Sequence, residues 1–111
     1  EPTGQSCPET MDHVIDSPQV THDPDHGRFE YRAGSSVAEL VYRCRGDRLI
    51  LLHTGVPGAL EGHGVGGQLV RAAVGYAASE GLTIVPACPF ARDWLERNPD
   101  VAAQVPIDAP V

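Results

Sequence analysis

The chain contains no lysine: all eight of its basic residues are arginine. A Walker-type phosphate loop needs a lysine to reach the outer phosphates, so nucleotide binding of that kind is excluded. The 111 residues carry a formal charge of −7. Without a basic stripe, that balance argues against nucleic acid as a partner. No window approaches the roughly eighteen consecutive apolar residues of a membrane span. No signal peptide is visible, although the chain opens on Glu1, so the native start can lie elsewhere; Met11, the one methionine, is a candidate initiator. Cysteine is scarce as well. Cys7, Cys44 and Cys88 are odd in number and widely spaced, which is neither a disulfide framework nor a zinc pattern. A reducing, cytoplasmic setting is the default for such usage, and no metal is expected.

The apolar fraction is 41%, and the length suits one domain with a modest core. The acidity is local. Residues 1–26 hold six of the fifteen acids and no arginine, leaving nine acids against eight arginines beyond them, a net of −1. Residues 1–26 therefore read as a flexible acidic leader, polar and without period, and residues 27–111 as the folded domain. Within the leader, His22-Asp23-Pro24-Asp25-His26 carries ligand-type side chains. A proline-broken pentapeptide gives convergent ligand geometry poorly, and a solvated loop is the better reading. Arginine, alanine, glycine and valine richness hints at a high-GC coding bias.

The pattern along the domain is α/β. Arg28 to Ala33 alternates, with Phe29, Tyr31 and Ala33 on one side. Gly34-Ser35-Ser36 turns the chain. Val37 to Arg45 alternates again, with Ala38, Leu40, Tyr42 and Cys44 sharing a face, which makes Cys44 a small inert core residue. Gly46-Asp47 marks a tight turn. Arg48 to Val56 is a third strand, apolar on both faces at Leu49 to Leu52 and hence central. Short turns predict an antiparallel three-strand meander. A helix from about Gly64 to Glu80 follows, with Val65, Leu69, Ala72, Ala73, Tyr76 and Ala77 as its apolar stripe and Gly81 as its cap. Leu82 to Val85 is a short strand, placed parallel to the third by the strand–helix–strand crossover.

The junction Glu61-Gly62-His63-Gly64-Val65-Gly66-Gly67 organises the rest. Glycines leave little bulk between a ligand and the backbone. The first N–H groups of the following helix lack internal partners, and with the positive end of the dipole they make an anion site suited to phosphate. Gly62, Gly64 and Gly67 satisfy the dinucleotide fingerprint, but Pro57-Gly58-Ala59-Leu60 separates them from the strand, and no acid ends the next one, so a nicotinamide-binding reading is weak. A third template, Gln/Arg-x-x-Gly-x-Gly/Ala, is filled from Glu61 to Gly66.

On these residues the sequence resembles the GNAT superfamily of acyl-CoA-dependent N-acetyltransferases, and within it the small single-domain branch with a Cys-Pro-Phe element. The matching blocks are Leu51 to Pro57, Leu60 to Gly66, Leu69 to Ala73, Gly81-Leu82, Val85 to Phe90 and Leu95 to Pro99, and together they span roughly Arg28 to Asp100. The resemblance implies a minimal GNAT fold with acetyl-CoA as cofactor, its pyrophosphate on the glycine loop. It places the pantetheine arm where Arg48–Val56 and Leu82–Val85 splay apart. It implies cofactor contacts at Thr54, Gly55, Val56, Gly62, His63, Gly64, Val65, Gly66, Gly67, Cys88, Pro89 and Arg92, with Arg71 a further candidate for outer phosphates. Two departures stand out. Glu61 sits where the superfamily usually has Gln or Arg, and Gly55 sits where the branch often has an acid that could deprotonate the substrate.

Cys88 carries the most chemistry. Pro86 ends the strand, Pro89 suits the first helical position, and Phe90 to Arg97 reads as a short helix, so Cys88 is its N-cap. The helix's positive end lowers a thiol pKa there. The resemblance sets Cys88 beside the cofactor sulfur, either as nucleophile through an acetyl-cysteine or as proton donor to the departing thiolate. Many larger relatives use a tyrosine for that proton, whereas Tyr31, Tyr42 and Tyr76 here lie on apolar faces. His53 on the third strand could take a proton from an amine. The implied activity is acetyl transfer to a primary amine, of a small molecule or a peptide. The rival is a module that binds coenzyme A without efficient transfer.

Overall fold

The computed structural model describes residues 20–62 and 64–108. A five-stranded sheet in the order β1-β2-β3-β4-β5 carries three helices. Strands β1 (Val20–Asp23), β2 (Arg28–Ala33), β3 (Ser36–Arg45) and β4 (Arg48–Gly55) form an antiparallel meander. Helix α1 (Val65–Glu80) crosses over to β5 (Thr83–Pro86), which pairs parallel to β4. Two short helices, α2 (Pro89–Arg97) and α3 (Pro99–Ala102), follow. No helix among the described residues is long and apolar enough to cross a membrane.

The meander has four strands rather than the expected three. Val20–Asp23, expected in the leader, pairs with β2 from Val20↔Tyr31 to Asp23↔Arg28. The reason is tertiary: Val20 is buried, and the His22 ring stacks on Phe29 with centroids 4.2 Å apart while its Nε2 meets the Tyr42 hydroxyl at 2.5 Å. A short polar segment gains burial there that its own composition does not announce. The ligand-type pentapeptide is thereby divided between the core, through His22, and a surface turn where His26 Nδ1 lies 2.7 Å from Asp23 Oδ2. Residues 1–19 of the expected leader lie outside the described residues.

The inner faces of β2, β3 and β4 and the apolar stripe of α1 make one core. Phe29, Leu40, Leu51, Leu69, Ala73, Tyr76 and Ile84 are fully buried in it. Burial pushes the Tyr76 hydroxyl up to about 12, with Glu80 adding to the shift, and moves Tyr42 upward too, so both stay protonated structural groups. Cys44 is fully buried on β3 as the alternation requires, but it is disulfide-bonded, which corrects the expectation of an inert thiol. Cys88 is the free cysteine among the described residues. Beyond β5 the chain returns, and Ile107 bridges Ile84, covering that edge.

One irregularity positions the site. Val41 faces His53, but Tyr42 faces Leu51, so Leu52 is an extra residue on β4. A bulge shifts the alternation by one and bends the strand. Leu51 and Thr54 therefore both face the helices, while His53 and Gly55 face the other side of the sheet. At the same level the β4–β5 pairing ends, on the rung Leu51↔Pro86, whereas β4 continues to Gly55. β5 itself ends there, at Pro86, so the last residues of β4 have no strand partner on that side.

Candidate functional site

A cleft of about 660 Å³ opens between the end of β4, the glycine loop and α2. Thr54 and Val56 line one wall, Gly62, Gly64, Val65, Gly66 and Gly67 the floor, and Phe90, Trp94 and Arg97 the other wall. Gly64 is the N-cap of α1, with φ 73°, and Gly62 has φ 82°. Both angles lie in the left-handed region that glycine enters without strain. A glycine cap has no side chain to bind the first helical amides, so those N–H groups are left for whatever enters the cleft.

Gly66 and Gly67 have another role. A Cβ on Gly66 would come within 2.6 Å of the Phe90 ring, and one on Gly67 would overlap the Trp94 indole. The first turn of α1 is thus packed edge-on against α2, which holds the two helix starts side by side. Arg71 lies over the Trp94 ring, 5.6 Å from its centroid, on the outer side of this wall.

Cys88 sits at the inner end. It is the N-cap of α2 and only 5% exposed. Its backbone N–H donates to the Leu51 carbonyl at 2.8 Å, just past the end of β5. Its thiol donates to Thr54 Oγ1 at 3.5 Å. Burial raises the thiol pKa, but the Thr54 hydroxyl and the backbone N–H groups of Ala91, Phe90 and Thr54 outweigh it, and the net pKa lies below the ordinary 9.0. The thiol makes no side-chain capping bond to α2, so the helix amides act on it at longer range.

Of the residues the resemblance implied, Thr54, Val56, Gly62, Gly64, Val65, Gly66 and Gly67 line one cleft, with Cys88 and Pro89 following at the start of α2. His63 lies outside the described residues. Arg92 does not join: it lines a separate apolar groove with Pro86, Leu95 and Ile107. Helical spacing explains the exchange, because Arg97 projects to the cleft instead. His53 is exposed on the opposite face of the sheet, turned there by the bulge. Phe90, Trp94 and Arg97 were not picked out as cleft residues; the signal that could have found them is the paired Gly66-Gly67, whose bulk has to be supplied from α2.

Fold and cleft define a small α/β domain in which a glycine-capped helix start shares one cleft with Thr54, beside a buried thiol. Comparison with known proteins says which family this is. The sequence model described as GCN5-related N-acetyl-transferase matches residues 28–105. Protein NATD1 of Gallus gallus is 32% identical over 84 residues, covering 73% of this chain and 76% of the relative. Protein NATD1 of Homo sapiens is 31% identical over 84 residues, with 73% and 74% covered. The NMR solution structure of a GCN5-like protein from Staphylococcus aureus superposes with a TM-score of 0.65 at 26% identity, over 91% of this chain and 94% of that one. The chain belongs to the GCN5-related N-acetyltransferase family.

Proposed function

We propose that this chain is an acyl-CoA-dependent N-acetyltransferase that moves acetyl from acetyl-CoA to a primary amine. The observation that carries this reading is the continuity of one cleft, from the uncapped start of α1 to Thr54, whose hydroxyl meets the Cys88 thiol. The donor set fits coenzyme A. Linked phosphates call for bare N–H groups and a positive dipole end, which Gly64 to Gly67 supply, and Arg97 adds a cation at the rim. Beyond Leu51, β4 runs without a partner strand on the β5 side, leaving backbone groups for the pantetheine amides.

When bound, acetyl-CoA supplies an activated thioester carbonyl. The acceptor nitrogen bonds to that carbon as the carbon–sulfur bond breaks. Cys88 gives its proton to the released thiolate, and the Cys88 thiolate left behind is stabilised by the Thr54 hydroxyl and the α2 amides. The acceptor reacts as the neutral amine, its ammonium proton having passed to water before attack. The last N–H proton passes to water as the amide forms, and water reprotonates Cys88.

Calorimetric titration with acetyl-CoA, NAD and ATP tests binding, with heat expected from acetyl-CoA; heat from NAD alone would end the reading. Release of the CoA thiol with a panel of amines tests transfer. Cys88→Ala should slow it by roughly a hundredfold or more, the scale of a lost general acid. An acetyl adduct on Cys88 by mass spectrometry would replace proton donation with a covalent route. Binding without turnover for any amine would leave a coenzyme-binding module.

A further inference from the structure

We infer that the stripe of Phe90, Trp94 and Arg97 on α2 selects the donor. The Trp94 indole stacks on the purine of coenzyme A, so the cleft takes thioesters of free coenzyme A. It discriminates against the same pantetheine thioester carried on a protein, which has no purine. The inference rests on the transferase reading and narrows its donor. The three residues stand at i, i+4 and i+7 on one face of α2, and all three line the cleft. The stripe starts beside the thiol, because Cys88 is the N-cap of the same helix. At about 1.5 Å per residue, the indole lies roughly 9 Å along the helix from Cys88, with Arg97 beyond it. That order is the order of groups in the coenzyme. Its thioester and pantetheine belong beside Cys88 and Phe90, its linked phosphates at the start of α1, and its base and 3′-phosphate further out, at Trp94 and Arg97.

The indole is fixed before any ligand arrives. Gly67 and Arg71, one turn apart on α1, hold it on two sides. A Cβ on Gly67 would overlap the indole nitrogen and stand 3.0 Å from Cε2, so that edge of the ring is pressed against the α1 backbone. The Arg71 guanidinium covers a face of the ring, 5.6 Å from its centroid. Trp94 lines the cleft and Arg71 does not, so the covered face is the one turned away from the cleft. A flat apolar surface is thus left half-buried at the cleft wall. Little side-chain freedom remains to be lost when a ligand docks on it. The purine is the one flat aromatic group of coenzyme A. Stacking of a base on such a surface needs only its π face, whereas pantetheine and the phosphates have nothing flat to offer it.

Trp94 is the chain's one tryptophan, so its emission reports the contact directly. The test titrates the protein with coenzyme A and with its two fragments, adenosine 3′,5′-diphosphate and 4′-phosphopantetheine, by fluorescence and by calorimetry. The two ligands that carry the purine should quench the emission, and 4′-phosphopantetheine should not. Trp94→Leu should weaken coenzyme A by roughly tenfold, the scale of one stacked base, and should weaken adenosine 3′,5′-diphosphate alike. Trp94→Phe keeps an aromatic face and should retain most of the coenzyme affinity, which separates stacking from a general loss of structure. Quenching by 4′-phosphopantetheine as strong as that by coenzyme A would overturn the inference while leaving coenzyme binding in place. So would a coenzyme affinity unchanged in Trp94→Leu, or one lowered equally in Trp94→Phe. A wild type that binds no coenzyme A would instead sink the transferase reading, and this inference with it.

Discussion

Thr54 Oγ1 lies 3.5 Å from Cys88 Sγ, and this contact joins the end of the cleft to the start of α2. It is also the largest of the influences that lower the Cys88 pKa against the upward push of burial. Thr54→Val keeps the shape and removes the hydroxyl, so the thiol should titrate at higher pH in the variant. Thiolate ultraviolet absorbance against pH checks this, with the wild type inflecting below 9.0. The linkage has a definite sign. A depressed folded-state pKa contributes stability that is present above the unfolded value and lost as pH falls through the folded one. Wild type should therefore gain on the valine variant toward alkaline pH. An unmoved inflection would mean that the helix amides alone tune the thiol.

Gly67 sets two effects against each other. Alanine is the better helix former by about 1 kcal/mol, but its Cβ would meet Trp94 Cε2 at 3.0 Å and overlap Nε1. Overpacking of that kind costs roughly 1–3 kcal/mol, so the clash should win. Gly67→Ala is expected to lower stability by about 1 kcal/mol in denaturant unfolding. In a Trp94→Leu background the clash is gone, and the same substitution should become stabilising. Destabilisation of equal size in both backgrounds would show that the indole is not the reason for the glycine.

Much of this arrangement is legible in the sequence because it is local. The alternation of Ala38, Leu40, Tyr42 and Cys44, the stripe from Val65 to Ala77, the proline after Cys88 and the run of glycines each report a nearby physical requirement. What is not legible depends on partners far along the chain. Val20–Asp23 reads as solvated because its burial comes from Phe29, Tyr42 and Tyr76. The Leu52 bulge is invisible to a period-two reading, since an apolar run on both faces looks the same with or without an extra residue. That single residue decides that Thr54 faces the thiol and His53 the opposite side. Gly66 and Gly67 announce close approach without naming Phe90 and Trp94.

Glu61 places an exposed carboxylate in the cleft, where the proposed ligand is an anion. Glu61→Gln should tighten CoA binding. Exposure keeps the gain small, on the order of 0.2–1 kcal/mol, or about 1.4- to fivefold. Because the effect is a screened repulsion, it should shrink as ionic strength rises past roughly 0.15 M. Calorimetry at low and high salt checks both points. Equal affinity at low salt would show that the carboxylate points away from the phosphates.

The two arginines of α2 offer the sharpest contrast between sequence pattern and geometry. Arg92 lies one turn behind Cys88, but it faces the apolar groove beside Ile107. Arg97, nearer the end of the helix, lines the cleft and is paired with Asp93 at 2.8 Å, both being well exposed. An exposed i,i+4 pair is worth only a few tenths of a kcal/mol, so Arg97 can leave Asp93 for a phosphate at little cost. Arg97→Ala should therefore weaken CoA binding by about five- to thirtyfold, on the scale of about 1–2 kcal/mol for a charge-assisted contact in an open cleft. Arg92→Ala should leave that affinity unchanged. Fluorescence or calorimetric titration of the two variants side by side decides it, and the reverse order would return Arg92 to the cofactor and displace Arg97 from it.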